Sequence, residues 1–214
     1  MIVADDLRAV AEAVSCSAIC DAMMRRHVHS AHIVDLVSPA PERWMLGPAV
    51  TMRFMPLRAD LLDPDVHDFS AMLDRAVAGR DPEGCVLAVS SWGHPDQPVA
   101  GGKKLSRLAN LGLAGLVADA RLRDWDEVVE LGLGAWCRGE TVRQGGEAIM
   151  PWDAGVPVAV GGVTVVPRDW IYADRSGAVV IPAADLRTIL EEAARIEERD
   201  AAEVARLRER DAVR

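Results

Sequence analysis

GGKKLSRLANLGLAGLVADARLRDWD, residues 101–126, is the stretch that decides how this chain folds. Gly101-Gly102 open it, and Leu105, Leu108 and Ala109 follow at helical spacing. Leu113-Ala114-Gly115 turns the chain, and Leu116-Val117-Ala118 is a short apolar run of strand type. Asp119, Arg121, Arg123, Asp124 and Asp126 then put five charged residues within eight positions. A strand that ends in such a cluster presents it at the carboxyl edge of a sheet, where open α/β folds bind ligands. The chemistry is therefore expected there.

Working outward, Val86-Leu87-Ala88-Val89 reads as a second buried strand, and Ser90 to Gly102 as a loop at its carboxyl end. If the two strands run parallel, that loop and the Arg123-Asp124 cluster share one sheet edge. Ala49 to Phe54 reads as a strand, Ser70 to Val77 as a helical segment, Trp125 to Leu131 as a short helix and Gly134 to Cys137 as a strand. Val156 to Val160 and Val163 to Val166 flank a tight Gly161-Gly162 turn. Trp170 to Ala173 and Ala178 to Ile181 form a hairpin. Residues 4–26 read as helical, with Asp5 or Asp6 as a first cap and Ser15 or Ser17 as the cap of a second helix. From Ala183 onward the sequence is one long charged helix whose apolar positions thin out beyond Asp200. The expected organisation is an α/β domain over 1–182 followed by a helix over 183–214 at a subunit interface.

Half of the 214 residues are hydrophobic, so a packed core is within reach. Lys plus Arg number 24 against 33 Asp plus Glu, a net charge of −9. That balance argues against nonspecific nucleic-acid binding, which needs a basic surface. It leaves room for a small anionic substrate held by a few arginines. Cys16, Cys20, Cys85 and Cys137 are scattered and read as free thiols of a reducing cytoplasm. His27, His29 and His32 lie close together, but no carboxylate or cysteine nearby completes a metal site, so they read as a solvated or interface loop. No signal peptide or membrane-spanning run is visible, which makes a cytoplasmic location the expectation. No glycine-rich nucleotide loop follows the first strand, so a methyltransferase is not supported. Taken alone, Arg123-Asp124 reads as a surface ion pair at a strand end.

These motifs, in this order, resemble the superfamily that joins the regulator of ribonuclease E activity A (RraA) with the 4-hydroxy-4-methyl-2-oxoglutarate and 4-carboxy-4-hydroxy-2-oxoadipate aldolases. Many of its members carry a demethylmenaquinone methyltransferase label. The resemblance runs through Ser17 to Met23 (SAICDAM), Leu46 to Thr51 (LGPAVT), Gly101 with Gly112 and Gly115, Arg123-Asp124, Gly161 to Asp169, and Asp174 to Pro182 (DRSGAVVIP). It implies an α/β fold built on a swivelling β/β/α layered domain with a long carboxyl-terminal helix. It implies homotrimers or hexamers (dimers of trimers) with sites between subunits. It also implies a magnesium- or manganese-dependent lyase that cleaves or decarboxylates a 2-oxo acid to pyruvate, or else a non-catalytic regulator of the ribonuclease-inhibitor kind.

By the same resemblance Asp124 is the metal ligand, and Arg123 pairs with a substrate carboxylate or polarises the leaving carbonyl. Backbone N–H groups of Gly101, Gly102, Lys103 and Lys104 hold the pyruvoyl carboxylate. Further carboxylates around the metal's waters are expected from Asp119 and, across a subunit boundary, from Glu197, Glu198 or Asp200. The aldolases often carry an acidic residue directly after the turn glycine, and here that position is Gly102. His94, in the 90–100 loop, reads as a plain loop histidine.

Overall fold

A computed structural model describes residues 5–212 of the chain. Two helices open it, α1 (Asp5–Glu12) and α2 (Cys16–Met24). They are followed by β1 (His32–Ile33), β2 (Met45–Pro56), α3 (Phe69–Val77), β3 (Val86–Ser90) and β4 (Pro98–Ala100). The decisive stretch then gives α4 (Gly102–Asn110), β5 (Gly115–Ala118), β6 (Arg121–Leu122) and α5 (Trp125–Leu131). Five strands complete the β part after β7 (Gly134–Trp136): β8 (Ile149–Ala154), β9 (Val158–Val160), β10 (Val163–Val165), β11 (Trp170–Asp174) and β12 (Gly177–Ile181). The last helix is α6 (Leu186–Ala212). Residue 4 and residues 213–214, at the outer ends of the two expected terminal helices, lie outside the described residues.

The main sheet has the order β1-β12-β11-β2-β3-β5-β7, and β8 pairs with the far end of β2. Strand β2 is twelve residues long and serves both halves of the sheet. Its first residues pair antiparallel with β11, its middle pairs parallel with β3, and its end pairs antiparallel with β8. β3, β5 and β7 continue the parallel ladder, so β3 and β5 do run the same way and end at the same edge. Close approach at the start of the ladder requires glycine at position 47, where a Cβ would sit 2.1 Å from the Gly84 carbonyl oxygen.

Strands covered on both faces lose the polar alternation of an exposed sheet, and the burial of these shows two distinct sets. In β3, Leu87 and Val89 point into one core with Val50, Met52, Leu116 and Ala118, beneath α3, α4 and α5. Val86 and Ala88 point the other way, with Ala49 and Val117, against the β9–β10 hairpin. In the antiparallel half, Trp170, Tyr172, Val179 and Ile181 pack under α1, α2 and α6, while Ile171, Ala173, Ala178 and Val180 join the β9–β10 side. Helices, sheet and a small second β layer therefore make the expected β/β/α arrangement.

The cap of α2 is Ser15, whose Oγ accepts from the Ala18 N–H. The closing helix starts at Leu186 rather than Ala183, because Pro182 to Asp185 form a turn in which the Asp185 N–H donates to the Pro182 carbonyl. Leu186, Ile189, Leu190, Ala193 and Ile196 bury one face of α6 against α1 and α2, and residues 201–210 are all exposed. Among the described residues no helix is long and apolar enough to cross a membrane.

Candidate active site

The two short strands that no periodicity announces, β4 and β6, build the site. They pair parallel, with Pro98 opposite Arg121 and Ala100 opposite Leu122, and the Arg123 N–H donates to the Ala100 carbonyl at 3.0 Å. This ladder lays the 98–100 segment along the strand end after β5. Gly101-Gly102 therefore meets Arg123-Asp124 across it. A Cβ on Gly101 would lie 2.8 Å from Asp124 Oδ2 and 3.1 Å from Arg123 Cβ.

Asp124 has left-handed backbone angles, φ 62° and ψ 52°, and stands immediately before α5. Its side chain does not cap that helix. Instead Glu140 Oε1 accepts from the Trp125 N–H at 3.1 Å. The Asp124 carboxylate reaches back to the start of α4, where Oδ2 accepts from the Gly102 N–H at 2.9 Å. Gly101 itself provides no side-chain cap, so Asp124 supplies the acceptor that the first turn of α4 lacks. Its other oxygen, Oδ1, has no hydrogen-bond partner among the described residues. Asp124 and Arg123 do not pair with each other, and no described carboxylate pairs with Arg123. The surface ion pair read from the bare sequence is thus absent among the described residues.

Around these groups opens a cleft of about 550 Å³, a size suited to a small molecule. Gly101, Gly102, Lys103, Lys104, Arg123 and Asp124 all line it, so six of the expected residues come together. The opposite wall is apolar, with Phe54 from β2 and Ile149 and Pro151 from β8. The Gln144-Gly145-Gly146 loop closes a third side. The Lys104 ammonium donates to the Val99 carbonyl at 3.2 Å and sits 4.8 Å from the centre of the Phe69 ring. Burial pulls its pKa down, against the smaller opposing pull of Asp68.

The other expected carboxylates lie elsewhere in the protomer. Asp119 accepts from the Ser91 N–H at 2.6 Å with one oxygen and from the Gly161 N–H at 3.2 Å with the other. Glu197 accepts from both the N–H (3.1 Å) and the hydroxyl (2.5 Å) of Ser15, and Glu198 and Asp200 are exposed on α6. His94 does not line the cleft. His27 pairs with Asp185 at 3.1 Å and belongs to the loop it was read as. The four cysteines are unpaired, and burial raises their thiol pKa values, that of Cys20 to about 11, so they are poor nucleophiles.

Of the cleft residues that escaped the sequence reading, Glu127 is the charged one. Glu127, in the first turn of α5, turns its carboxylate over Gly102. The only signal in the sequence is its closeness to Asp124, three residues earlier and just before α5.

The donor chemistry suits a hard divalent cation. Asp124 Oδ1 and the Glu127 carboxylate are oxygen donors open to the cleft. Among the described residues no group of three or more His, Cys, Asp or Glu side chains could hold a metal. A zinc-type enclosure is therefore missing from the described part of one protomer, whereas magnesium needs only one or two carboxylates and keeps several waters.

Comparison with known proteins gives a consistent picture. A family model described as RraA-like, Aldolase/RraA, matches residues 16–180. A protein of Halalkalibacterium halodurans named "Putative 4-hydroxy-4-methyl-2-oxoglutarate aldolase" is 31% identical over 110 residues, 51% of this chain and 52% of its own length. A protein of Burkholderia mallei with the same name is 37% identical over 112 residues, 50% of this chain and 65% of its own. The alignments thus span about half to just under two thirds of those relatives. The crystal structure of Streptomyces coelicolor RraAS2, described as an unusual member of the RNase ES inhibitor RraA protein family, superposes with a TM-score of 0.78 at 28% identity. That match covers 96% of this chain and 98% of the Streptomyces one.

Proposed function

Because the chain belongs to the RraA-like family (Aldolase/RraA), we propose that it is a divalent-cation-dependent carbon–carbon lyase that cleaves or decarboxylates a 2-oxo acid to pyruvate. The observation that carries this reading is the state of Asp124. One of its oxygens is fixed by the Gly102 N–H, and the other has no partner among the described residues, in an open cleft beside Arg123, which no described carboxylate pairs with. The names of the Halalkalibacterium and Burkholderia relatives support the substrate class.

Magnesium or manganese bound there would supply a Lewis acid for the negative charge that develops on a 2-oxo acid as its carbon–carbon bond breaks. Asp124 would hold the ion through Oδ1, already oriented by its bond to α4. The Arg123 guanidinium, a rigid fork of donors, would take a substrate carboxylate or the oxygen of the departing carbonyl. The Gly102 N–H is taken by Asp124 and the Lys104 N–H by the Gly101 carbonyl, so of the three expected first-turn donors the Lys103 N–H is the one that would favour a substrate anion. Phe54, Ile149 and Pro151 would cover the apolar part of the substrate and exclude water from that side. We carry assembly as a homotrimer, or a dimer of trimers, into the same proposal.

The test is pyruvate release from oxaloacetate and from 4-hydroxy-4-methyl-2-oxoglutarate, with magnesium and with a chelator. Asp124→Asn keeps a residue that tolerates left-handed angles. It should lower turnover at least about 100-fold, the upper end for outer partners of metal sites. Full activity of that variant, or turnover indifferent to chelator, sinks the proposal.

The likeness to the Streptomyces inhibitor over nearly the whole chain favours a second reading, a non-catalytic regulator acting through its surface. A protein that binds no divalent ion and releases no pyruvate, yet inhibits a ribonuclease of that class, would be of this second kind.

A further inference from the structure

Residue 102 has no side chain, but the volume beside its Cα is filled. A Cβ built there would lie 1.5 Å from Glu127 Oε2 and 2.5 Å from Glu127 Cδ. The carboxyl group of Glu127 therefore occupies the place a side chain at 102 would take. Glu127 reaches this point from the first turn of α5 and Asp124 from the left-handed position just before that helix, and they bear on the neighbouring glycines 102 and 101, whose Cα atoms are about 3.8 Å apart. No described cation or N–H pairs with Glu127, and Asp124 uses a single N–H.

Two carboxylates brought this close repel unless a cation or a proton lies between them. The start of α4 offers only a partial positive charge. Glu127 stays exposed to water, yet its carboxyl folds back over Gly102. We propose that Glu127 is a positioning residue of the cation site, accepting hydrogen bonds from the waters of an ion held by Asp124, and that glycine stands at 102 to admit it. This rests on the cation reading given above. It adds which residue supplies the second negative charge and why position 102 carries none.

The probe is Mn2+ alone, titrated by calorimetry and by the loss of the free-ion electron spin resonance signal, with circular dichroism to verify folding. The wild-type protein should bind Mn2+, and Asp124→Asn should not. Glu127→Gln and Glu127→Ala should each weaken binding at least about tenfold. Gly102→Asp combined with Glu127→Ala, which moves the carboxylate back to position 102, should recover most of what Glu127→Ala loses. If both Glu127 variants bind like the wild type while Asp124→Asn does not, this inference falls and the cation reading survives. If the wild type binds no Mn2+, both fall together.

Discussion

Replacing Asp119 by alanine should cost stability and leave the proposed cation site intact. Its two oxygens accept from two separate parts of the chain, the Ser91 N–H at 2.6 Å and the Gly161 N–H at 3.2 Å. The substitution removes both acceptors. A hydrogen bond to a charged group contributes about 1.5–3 kcal/mol. The Ser91 bond belongs near the top of that range, because it is short and Ser91 is fully buried, so its N–H would be left unpaired in the interior. The Gly161 bond belongs near the bottom, because it is longer and water can reach that turn. The sum is about 4–4.5 kcal/mol. With a urea slope near 3 kcal/mol/M, the unfolding midpoint should fall by about 1.5 M. Tm should fall by roughly 10 °C. Protein concentration must be held constant, since any association would add to apparent stability. The folded variant should bind Mn2+ as tightly as the wild type. A midpoint shift below about 0.3 M, under roughly 1 kcal/mol at that slope, would refute the energetic argument. A loss of Mn2+ affinity at unchanged stability would return Asp119 to the metal's surroundings, where the family resemblance puts it.

Two further predictions concern other groups. Tyr172→Phe removes the hydroxyl that donates to the Val14 carbonyl at 2.6 Å between α1 and β11. It should cost about 1–2 kcal/mol by urea unfolding, and an unchanged midpoint would deny that bond any net weight. Lys104 has a pKa lowered from 10.5 by burial. Between its folded pKa and 10.5 the unfolded chain binds more protons, so stability should rise with pH across that window, and below it the buried charge is a standing cost. Lys104→Met should flatten that rise relative to wild type in a series of urea midpoints, and parallel curves would show that the ammonium pays no burial penalty.

Much of the fold was legible because two signals agreed. The apolar runs at 86–89 and 116–118 are too short for helices and lack polar alternation, which suits strands covered on both faces, and they do pair in parallel. Charged residues immediately after such a strand had to fall at the carboxyl edge. What stayed hidden depended on long-range pairing. Strand β8 (IMPWDA) contains a proline, a tryptophan and an aspartate and has no regular period, and it is a strand because the end of β2 needs a partner. β4 and β6 are three and two residues long, below any periodicity, yet they bring Gly101 to Asp124. Glu127 read as one more charge on a short helix, because its nearness to Gly102 is fixed by that ladder and by no spacing along the chain. Gly102 looked from the sequence like a missing acid. In three dimensions it is the gap that an acid enters.

The handedness of the main chain at Asp124 narrows what selection can do there. With φ at 62°, most side chains would crowd their own backbone, and aspartate, asparagine and glycine are the economical occupants. Glycine brings no oxygen and asparagine no charge. A glutamate would be strained and would overshoot the Gly102 amide that aspartate meets at 2.9 Å. Shape has therefore filtered the alphabet before any reaction is considered, and drift at this position should remove the carboxylate sooner than exchange it for another acid.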